Sequence, residues 1–399
     1  MNKLKIPQSW ALTRVEQISS KVGSGVTPKG GREAYSDQGV VFIRSQNVLV
    51  GKLDLSDVAF IPEQTHAKMI ASEVQPNDVL LNITGASIGR CAVAPPTLPQ
   101  ANVNQHVCIV RPNDRICSSF LMNLFNSDFG KRLIYECQAG GNREGLNFQQ
   151  IRSFKVPLPP LPVQQITADV FSCWDQAIEL TEKLIAAKQK RKQALMQQLL
   201  ARQDNSKTQK LGQLFGQRKE KGVDNLPTYS VTMNDGLVLR DSLDRKNETS
   251  LRSDQHLLIE ENDIAYNMMR MWQGALGLAP ESGLVSPAYV VLRSLGEVDP
   301  LFTSYWFKTP RVVKKFQDYS HGMTKDRLRL YFKDFASIAL PVPPLDLQRK
   351  IAKALSTCDR ELDCLQQKVG LLQQQKKGLM QQLLTGKIRV KLSKAKGKK

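Results

Sequence analysis

Cysteine and histidine are scarce in this chain of 399 residues, and neither is spaced as metal ligands are. The seven cysteines include no Cys-x-x-Cys pair, and their odd number and irregular spacing do not suggest a disulfide framework. The four histidines show no ligand spacing either. We therefore predict reduced, mostly packed thiols and no metal site.

Long apolar runs are also missing. No stretch reaches the roughly 18 apolar residues that a transmembrane helix needs. Residues 1–10 are polar and include Pro7, unlike a secretory leader. These absences lead us to expect a cytoplasmic protein with no membrane partner.

The sequence contains none of the motifs that commonly carry catalysis. It has no Gly-x-x-x-x-Gly-Lys-[Ser/Thr] phosphate loop, no Asn/Asp-Pro-Pro-Tyr/Phe motif of adenine methyltransferases and no Ser–His–Asp signature. A Pro-Asp…Glu-x-Lys nuclease cluster cannot be assembled convincingly, and Gly23-Ser24-Gly25 is not followed by Lys-Thr. We predict a chain that is not an enzyme and holds no cofactor.

Negative charge is under-represented, and the formal net charge is +19. The hydrophobic fraction of 41% and the charged fraction of 23% are those of a globular protein. Such a positive excess favours a polyanionic partner, with nucleic acid ahead of an acidic membrane surface. Seven of the 13 residues from Lys387 onward are basic, so we predict a solvated basic tail over residues 387–399. Contact of this tail with DNA phosphate or with a partner is the alternative.

The most informative feature is an internal repeat. Residues 156–203 align without a gap with residues 340–387. Both copies contain Pro-x-Pro-Pro-Leu and end in Leu-Met-Gln-Gln-Leu-Leu. Weaker similarity precedes them, because residues 76–79 resemble 261–264 and Leu146 begins a match to Leu330. The whole chain is therefore predicted to be a tandem duplication of a variable unit followed by a helical unit.

Each helical unit is predicted to be one long helix. A Pro-x-Pro-Pro segment cannot lie inside a helix, so the helix begins after it. Apolar residues then recur in steps of four and three, from Phe171 to Leu199 and from Ile351 to Leu383, which is typical of a coiled-coil seam. Three lysines interrupt this seam: Lys188, Lys192 and Lys376. We predict an antiparallel pair formed by the two helices; pairing of each with another protein is the alternative.

The variable units contain short apolar runs that predict strands at residues 40–43, 79–83, 107–110 and 289–292. Helices are predicted over residues 118–135 and 303–319. Dense glycine and proline punctuate these elements, so polar residues fall in loops. The predicted fold class is α+β, with two α/β domains separated by two long helices and related by a pseudo-twofold repeat.

This arrangement resembles the specificity subunits of type I restriction–modification enzymes. The resemblance rests on the two Pro-x-Pro-Pro-Leu…Gln motifs and the two helices that end in Leu-Met-Gln-Gln-Leu-Leu. Further motifs are similar to first recognition domains of that family: Gly23-Ser24-Gly25-x-Thr27-Pro28, Phe42-Ile43-Arg44-x-x-Asn47-Val48, Gly85-x-x-x-Gly89 and Asn104-Gln105. The second variable unit lacks the Gly-x-Gly-x-Thr-Pro and Phe-Ile-Arg motifs.

The resemblance implies a division of the chain into five parts. These are target recognition domain 1 (residues 1–155), a spacer and docking helix (156–205), target recognition domain 2 (206–339), a second helical region (340–386) and the basic tail (387–399). Each recognition domain would read one half of a bipartite DNA target. The helices would set the spacing and dock two modification (methyltransferase) subunits, and two restriction (motor–nuclease) subunits would join. S-adenosylmethionine, ATP and Mg would then lie on the partner subunits.

Candidate DNA-binding residues are polar and basic side chains in predicted loops, since Arg reads guanine and Asn or Gln reads adenine. For any single residue, a solvated or turn-capping role is the alternative. The candidates in the first domain are Ser24, Thr27, Lys29, Arg32, Arg44, Gln46, Asn47, Thr84, Ser87, Arg90, Asn104, Gln105, His106, Asn142 and Arg143. Those in the second are Asn267, Arg270, Trp272, Gln273, His321, Thr324, Lys325, Arg327 and Arg329.

Three alternatives stay open at this point. The Met268-Met269 pair can belong to the core of the second domain. Segments 140–143 and 321–325 can be equivalent loops, because each precedes a Leu-x-Phe element. The protein as a whole can be a non-catalytic scaffold or hub with incidental basic charge, or the remnant of a fused restriction enzyme.

Overall fold

The computed structural model describes residues 6–28, 30, 34–138, 145–201, 206–243, 251–324 and 327–390. The chain divides into two compact units that are not contiguous in sequence. Unit 1 comprises residues 1–182 and 367–399, and unit 2 comprises residues 183–366. Each unit therefore combines one variable globule, the first half of the long helix that follows it and the second half of the other long helix. The five domain boundaries expected from the sequence stay predictions.

Unit 1 is built on a four-stranded antiparallel sheet in the order β2-β8-β5-β6. A three-stranded sheet, β4-β3-β7, pairs β3 with β7 in parallel, and β1 pairs with β9. The strands are β1 Ala11–Arg14, β2 Ser19–Ser24, β3 Val40–Ile43, β4 Ala59–Ile61, β5 Val79–Asn82, β6 Cys91–Val93, β7 Ala101–Val103, β8 Val107–Pro112 and β9 Lys155–Leu158. The helices are α1 Glu63–Lys68, α2 Ser118–Asn126, α3 Asp128–Gln138, α4 Phe148–Ser153 and the first half of α5 Leu161–Ala201.

Unit 2 repeats the four-stranded sheet, in the order β11-β18-β15-β16, and the terminal strand pair as β10-β19. The three-stranded sheet is replaced by the pairs β12-β13 and β14-β17. The strands are β10 Lys207–Lys210, β11 Phe215–Arg218, β12 Tyr229–Val231, β13 Leu237–Leu239, β14 Leu257–Ile259, β15 Ile264–Asn267, β16 Leu276–Leu278, β17 Gly283–Val285, β18 Tyr289–Ser294 and β19 Ala339–Val342. The helices are α6 Leu211–Leu214, α7 Pro300–Trp306, α8 Pro310–Asp318, α9 Phe332–Ser337, the second half of α5 and the first half of α10 Leu345–Leu383. The predicted α+β class and the repeat are confirmed.

Two helix predictions were wrong in the same way. The segments 118–135 and 303–319 each form two helices, because a residue between them leaves helical geometry. In unit 1 Ser127 is extended, with φ −73° and ψ 166°, and its hydroxyl accepts a hydrogen bond from Gly130 N at 3.3 Å. In unit 2 Pro310 begins the second helix, where a missing backbone N–H costs nothing. Apolar periodicity continues across both breaks, so it did not reveal them.

The turn that leads into the central strand is the same in both units. Asn77 and Asn262 adopt the left-handed conformation, with φ of 69° and 68°. The next residue is a buried aspartate, Asp78 or Asp263, whose carboxylate accepts a backbone N–H three residues upstream. Ala94 N and Ala279 N each donate to the carbonyl of that aspartate at 2.8 Å. The weak similarity between residues 76–79 and 261–264 therefore reflects a shared three-dimensional turn.

The lysines that interrupt the helical seam form ion pairs between the two long helices. In unit 1 Lys376 of α10 contacts Asp175 of α5, and in unit 2 Lys192 of α5 contacts Asp359 of α10. These are equivalent residues of the two repeats with their roles exchanged. In unit 2 Lys188 also pairs with Glu361 at 2.6 Å. From Lys188 to Lys192 the residue number increases along α5, whereas that of the partner on α10 decreases from 361 to 359, so the two helices are antiparallel. The predicted antiparallel pairing is confirmed within each unit.

A glutamine shared by the two repeats fastens each long helix to its globule. The Gln164 side chain is fully buried; it accepts from Cys117 N and donates to Pro159 O, both at 2.8 Å. The Gln348 side chain does the same with Asp299 N and Pro343 O, also at 2.8 Å. The Pro-x-Pro-Pro-Leu…Gln motif is thus a helix-attachment device. Among the described residues, no helix is both long and apolar enough to cross a membrane.

The cysteines differ in burial, which predicts a selective labelling pattern. Burial raises the pKa of the Cys108 thiol to about 12 and that of Cys91 well above its ordinary value, because a thiolate is poorly solvated there. Cys173 and Cys364 are exposed on the long helices. A maleimide at pH 8 should modify these two within minutes and leave Cys91 and Cys108 unmodified until the chain unfolds. Mass spectrometry of a labelling time course, with a urea-treated control, measures this; equal rates at Cys91 and Cys173 would contradict it.

Candidate nucleic-acid interface

In unit 1 the loops that carry the predicted residues meet at one edge of the four-stranded sheet. β2 and β5 end at this edge, whereas β8 and β6 begin there, because neighbouring strands are antiparallel. β3 and β7 are parallel, and β7 leads directly into the loop before β8, so both also end near this edge. Residues 24–28, 44–48, 83–90 and 104–106 are thereby brought together. We call this set loop cluster 1.

A hydrogen-bonded network joins three of these loops. The Thr27 hydroxyl donates to Gln105 Oε1, and the Gln105 amide donates to His106 Nε2 at 3.0 Å. A neutral imidazole that accepts at Nε2 carries its proton on Nδ1. His106 Nδ1 then donates to Thr84 Oγ1 at 2.6 Å. Four predicted residues are therefore held together with defined side-chain directions.

Arg44 stands out within loop cluster 1. Its Nε is buried and has no hydrogen-bond partner among the described residues. A buried guanidinium N–H without an acceptor is costly, so it is suited to bind an acceptor that arrives with a ligand. Gln46 beside it is exposed, with its amide 3.1 Å from Asp57 Oδ2.

Two of the predicted residues, Asn47 and Asn104, form side-chain hydrogen bonds within unit 1. Asn47 is buried; its Oδ1 accepts from Arg44 N, and its Nδ2 donates to Asp54 O and Asp57 O. Asn104 is also buried, and its Oδ1 accepts from His106 N at 3.0 Å. These contacts hold the two loops, and binding of DNA by Asn47 and Asn104 stays a prediction. Sequence alone does not distinguish such an Asn from an exposed one.

The remaining predicted residues of the first domain fall into two groups. Arg90 is exposed, and Ser24 and Ser87 are partly buried, all within loop cluster 1. Lys29, Arg32, Asn142 and Arg143 lie outside the described residues. The chain is described again from Gly145, which forms a β-bridge with Thr84. Leu146 N then donates to Ile83 O at 2.8 Å, so residues 145 and 146 lie at loop cluster 1.

Unit 2 presents an equivalent cluster at the equivalent edge of its sheet. β15 ends at Asn267 and β16 begins at Leu276, and the loop between them carries Arg270, Trp272 and Gln273. Arg270 is exposed and donates to Gln273 Oε1 at 3.2 Å. The Trp272 indole donates to Met269 O at 3.0 Å, and Asn267 Oδ1 accepts from Met269 N. Met268 packs against the core, whereas Met269 is exposed, so the core alternative holds for only one of the pair.

A hairpin whose described arms are residues 321–324 and 327–329 completes the cluster in unit 2. His321 N donates to Arg329 O at 3.0 Å, and Arg329 N donates back to His321 O at 2.9 Å. Leu330 N donates to Met268 O at 3.0 Å, as Leu146 N does to Ile83 O in unit 1. Leu146 and Leu330, which follow segments 140–143 and 321–325, thus bond to equivalent strand ends in the two units. Residues 140–143 and Lys325 lie outside the described residues, so the equivalence of the two segments stays a prediction. We call residues 267–275, 321–324 and 327–329 loop cluster 2.

The predicted residues of the hairpin are solvent-facing. His321, Thr324, Arg327 and Arg329 are exposed, and His321 Nε2 lies 3.3 Å from Asp334 Oδ1. Lys325 lies outside the described residues. Sequence reasoning missed two exposed apolar residues in these clusters, Val26 and Met323. The sequence alone does not reveal that these two residues are exposed, because an apolar residue is normally interpreted as part of the core.

Metal chemistry has no candidate in the part of the chain that the structure describes. No group of three or more His, Cys, Asp or Glu side chains there is arranged to hold a metal ion. What the two clusters offer chemically is guanidinium, amide, hydroxyl and imidazole groups held at matching sheet edges. These are groups that bind phosphates and base edges.

Two stretches of the chain, residues 8–188 and 206–373, match the family model described as type I restriction modification DNA specificity domain. The matches span most of the chain and coincide with the two structural repeats. The chain therefore belongs to the family of type I restriction–modification specificity subunits. Its role is that of a DNA sequence-specificity subunit.

Individual relatives agree with this assignment. A Methanocaldococcus jannaschii protein, provisionally named type I restriction enzyme MjaX specificity subunit, is 22% identical over 413 residues, which cover 97% of this chain and 95% of the relative. A chain from a structure that addresses assembly of the type I R-M system aligns with a TM-score of 0.60 at 16% identity, covering 96% of this chain and 100% of that one. The HsdS subunit from Thermoanaerobacter tengcongensis gives 0.55 at 17% identity, covering 97% and 99%. These structural likenesses establish the shared fold.

Proposed function

We propose that each unit reads one half of a bipartite DNA sequence through its loop cluster. The observation that carries this proposal is that each unit has its own four-stranded sheet, and the repeat places a loop cluster at the equivalent edge of each. Both clusters also receive a returning segment at an equivalent backbone contact, Leu146 to Ile83 and Leu330 to Met268. Two separate reading surfaces of common design suit a target made of two separate half-sites.

Within each cluster, the charged and the neutral groups would have different tasks. Exposed Arg90, Arg270 and Arg327 would bind phosphates or guanine, and Gln46, Gln105 and Gln273 would reach adenine or other base edges. Contacts to phosphate would give affinity that depends on salt, and contacts to base edges would give sequence preference. Asn47 and Asn104 would act indirectly, by holding the loops that carry their neighbours.

We further propose that the paired helices set the distance between half-sites and dock two modification subunits. Leu180, Leu184 and Leu371 are exposed on α5 and α10, which fits a surface that a partner covers. S-adenosylmethionine would be bound by those modification subunits, and ATP and Mg by two restriction subunits that join for cleavage. The chain itself would contribute recognition and no catalysis, and its cytoplasmic location stays a prediction. The scaffold alternative is not favoured, because the family match covers both globules as well as the helices.

The test is a methylation map of a host that expresses the chain with its modification subunits. The wild-type map should show two short half-sites separated by a spacer of constant length. Arg327→Ala should weaken or relax recognition at one position of the half-site read by unit 2, by about 1–3 kcal/mol, and leave the other half-site unchanged. This is the loss expected when one bidentate base contact is removed.

Arg293→Ala is the matched control for Arg327→Ala. Arg293 is exposed on β18 near the end of the strand that lies away from loop cluster 2, so its loss removes the same charge outside the reading surface. We expect no change of half-site from it. If Arg327→Ala weakens binding uniformly over all sequences, that arginine is a phosphate contact. If the wild-type complex shows only non-specific, salt-sensitive duplex binding, the proposed function is wrong.

A further inference from the structure

Met323 is 97% exposed, which is unusual for a large apolar side chain in the described part of this protein. It lies in the hairpin of loop cluster 2, two residues after His321. An apolar side chain that is fully hydrated contributes almost nothing to folding, because no apolar area is removed from water. Its position therefore has no explanation in the stability of unit 2.

The hairpin that carries Met323 is closed and well supported. Paired backbone hydrogen bonds join His321 to Arg329, and Arg327 N donates to Thr324 O at 3.0 Å. Gly322 is required beside Met323, since a Cβ there would lie 2.4 Å from Arg327 O. Leu330, the next residue, is tied to Met268 O and accepts from Tyr266 Oη at 3.3 Å. The exposure of Met323 is thus imposed by the backbone.

The neighbouring charged residues indicate what kind of partner this side chain is suited to contact. Arg327 and Arg329 are exposed on the returning arm of the hairpin, and Arg270 is exposed in the neighbouring loop. A loop that exposes both an apolar side chain and several cations is suited to a polyanion that also offers an apolar group. DNA has such a group, the C5-methyl of thymine, and it faces the major groove.

We propose that Met323 is a specificity-determining residue that contacts the C5-methyl group of a thymine in the half-site read by unit 2. The inference rests on the proposed function, because it needs loop cluster 2 to lie on DNA. It adds a base preference carried by an apolar contact, which the polar and basic residues of the cluster do not supply. The unbranched, flexible thioether adapts its shape to such a small methyl target.

The test combines a protein change with the removal of one methyl group from DNA. The full chain with its modification subunits is assayed on a synthetic duplex that carries the mapped target. Deoxyuridine then replaces, one at a time, each thymine of the half-site read by unit 2. Each replacement deletes only the C5-methyl group. At one position, wild-type protein should bind the deoxyuridine duplex about fourfold more weakly, the effect of one buried methyl group. Met323→Ala should bind the thymine duplex about fourfold more weakly and be indifferent to deoxyuridine at that position.

Two further variants separate this contact from other effects. Met323→Leu should retain most of the preference for thymine, and Leu295→Ala should leave it unchanged. Leu295 is half exposed in the same unit, but it follows the end of β18 that lies away from loop cluster 2. Thermal unfolding of Met323→Ala and Met323→Leu should match that of wild type, because this side chain is exposed.

Several outcomes would overturn the inference while leaving the proposed function intact. These are an unchanged methylation map for Met323→Ala, additive effects of Met323→Ala and deoxyuridine, or a second half-site without a sensitive thymine. Increased 2-aminopurine fluorescence without deoxyuridine sensitivity would show that Met323 unstacks neighbouring base pairs. Met323 would then be inserted between base pairs and would not contact a thymine methyl group. Absence of any sequence-specific binding by the wild-type complex would instead reject the proposed function itself.

Discussion

Arg218→Met should lower the free energy of unfolding of unit 2 by about 3–5 kcal/mol, the usual loss when a buried ion pair keeps only one of its charges. Arg218 is 8% exposed, and its Nε donates to Asp263 Oδ2 at 2.6 Å. Its Nη atoms contact Glu260 at 2.6 Å and Glu220 at 3.0 Å. Methionine preserves the apolar stem of the side chain but leaves the carboxylate of Asp263 buried without a cation.

Hydrogen exchange of peptides from β15 and β16 during urea denaturation measures this loss in unit 2 itself. Arg218→Met combined with Asp263→Asn should recover part of it, because no buried charge then remains unpaired. Arg252→Met is the matched control; Arg252 pairs with Asp254 at the surface, so its replacement should cost no more than about 0.5–1 kcal/mol. Wild-type protection of β15 in Arg218→Met would show that this buried ion pair does not support the sheet.

Leu384→Ala should destabilise unit 1 by about 2–5 kcal/mol, although Leu384 lies far along the chain from the rest of that unit. It is 1% exposed and belongs to the same core as Phe120 and Phe171. The chain then turns at Gly386, where φ is 71°, and Ile388 N donates to Gln382 O at 3.2 Å. This turn covers the end of α10 and buries the leucine.

The first repeat supplies a matched control with the same motif. Leu200 also ends a Leu-Met-Gln-Gln-Leu-Leu segment, but it is only partly buried and lines a cavity of about 650 Å³ beside Trp306 in unit 2. A partly exposed leucine loses less on truncation, so Leu200→Ala should cost about 1–2 kcal/mol. Exchange protection of α2 for the first variant and α7 for the second gives both values. Equal losses in the two variants would show that the two helix ends are packed alike.

The repeat and the long helices could be predicted from sequence because their signals are local and periodic. The steps of four and three mark the apolar stripe of α5 and α10, and the Pro-x-Pro-Pro segments mark where each helix begins. Strands at 40–43, 79–83, 107–110 and 289–292 were confirmed for the same reason. The breaks at Ser127 and before Pro310 were missed, because apolar spacing runs through them while one residue changes its backbone.

The candidate site was only partly predictable. Sequence placed Thr27, Thr84, Gln105 and His106 in loops, and the structure joins them in one network. Spacing along the chain does not report which loops share an edge, since that depends on strand order in the sheet. It also does not report burial, which turned Asn47 into a support for its loop and left Met323 fully exposed.

The amino-acid sequence by itself determined that this protein is a basic, duplicated α+β chain with two long helices. Only the tertiary structure decided which parts belong together: the end of α10 completes unit 1, and the end of α5 belongs to unit 2. An apolar stripe predicts that one face of a helix is buried, but it does not identify the surface that buries it. The choice was made by long-range contacts, in which Lys376 meets Asp175 and Lys192 meets Asp359, and such contacts leave no periodic trace in the chain.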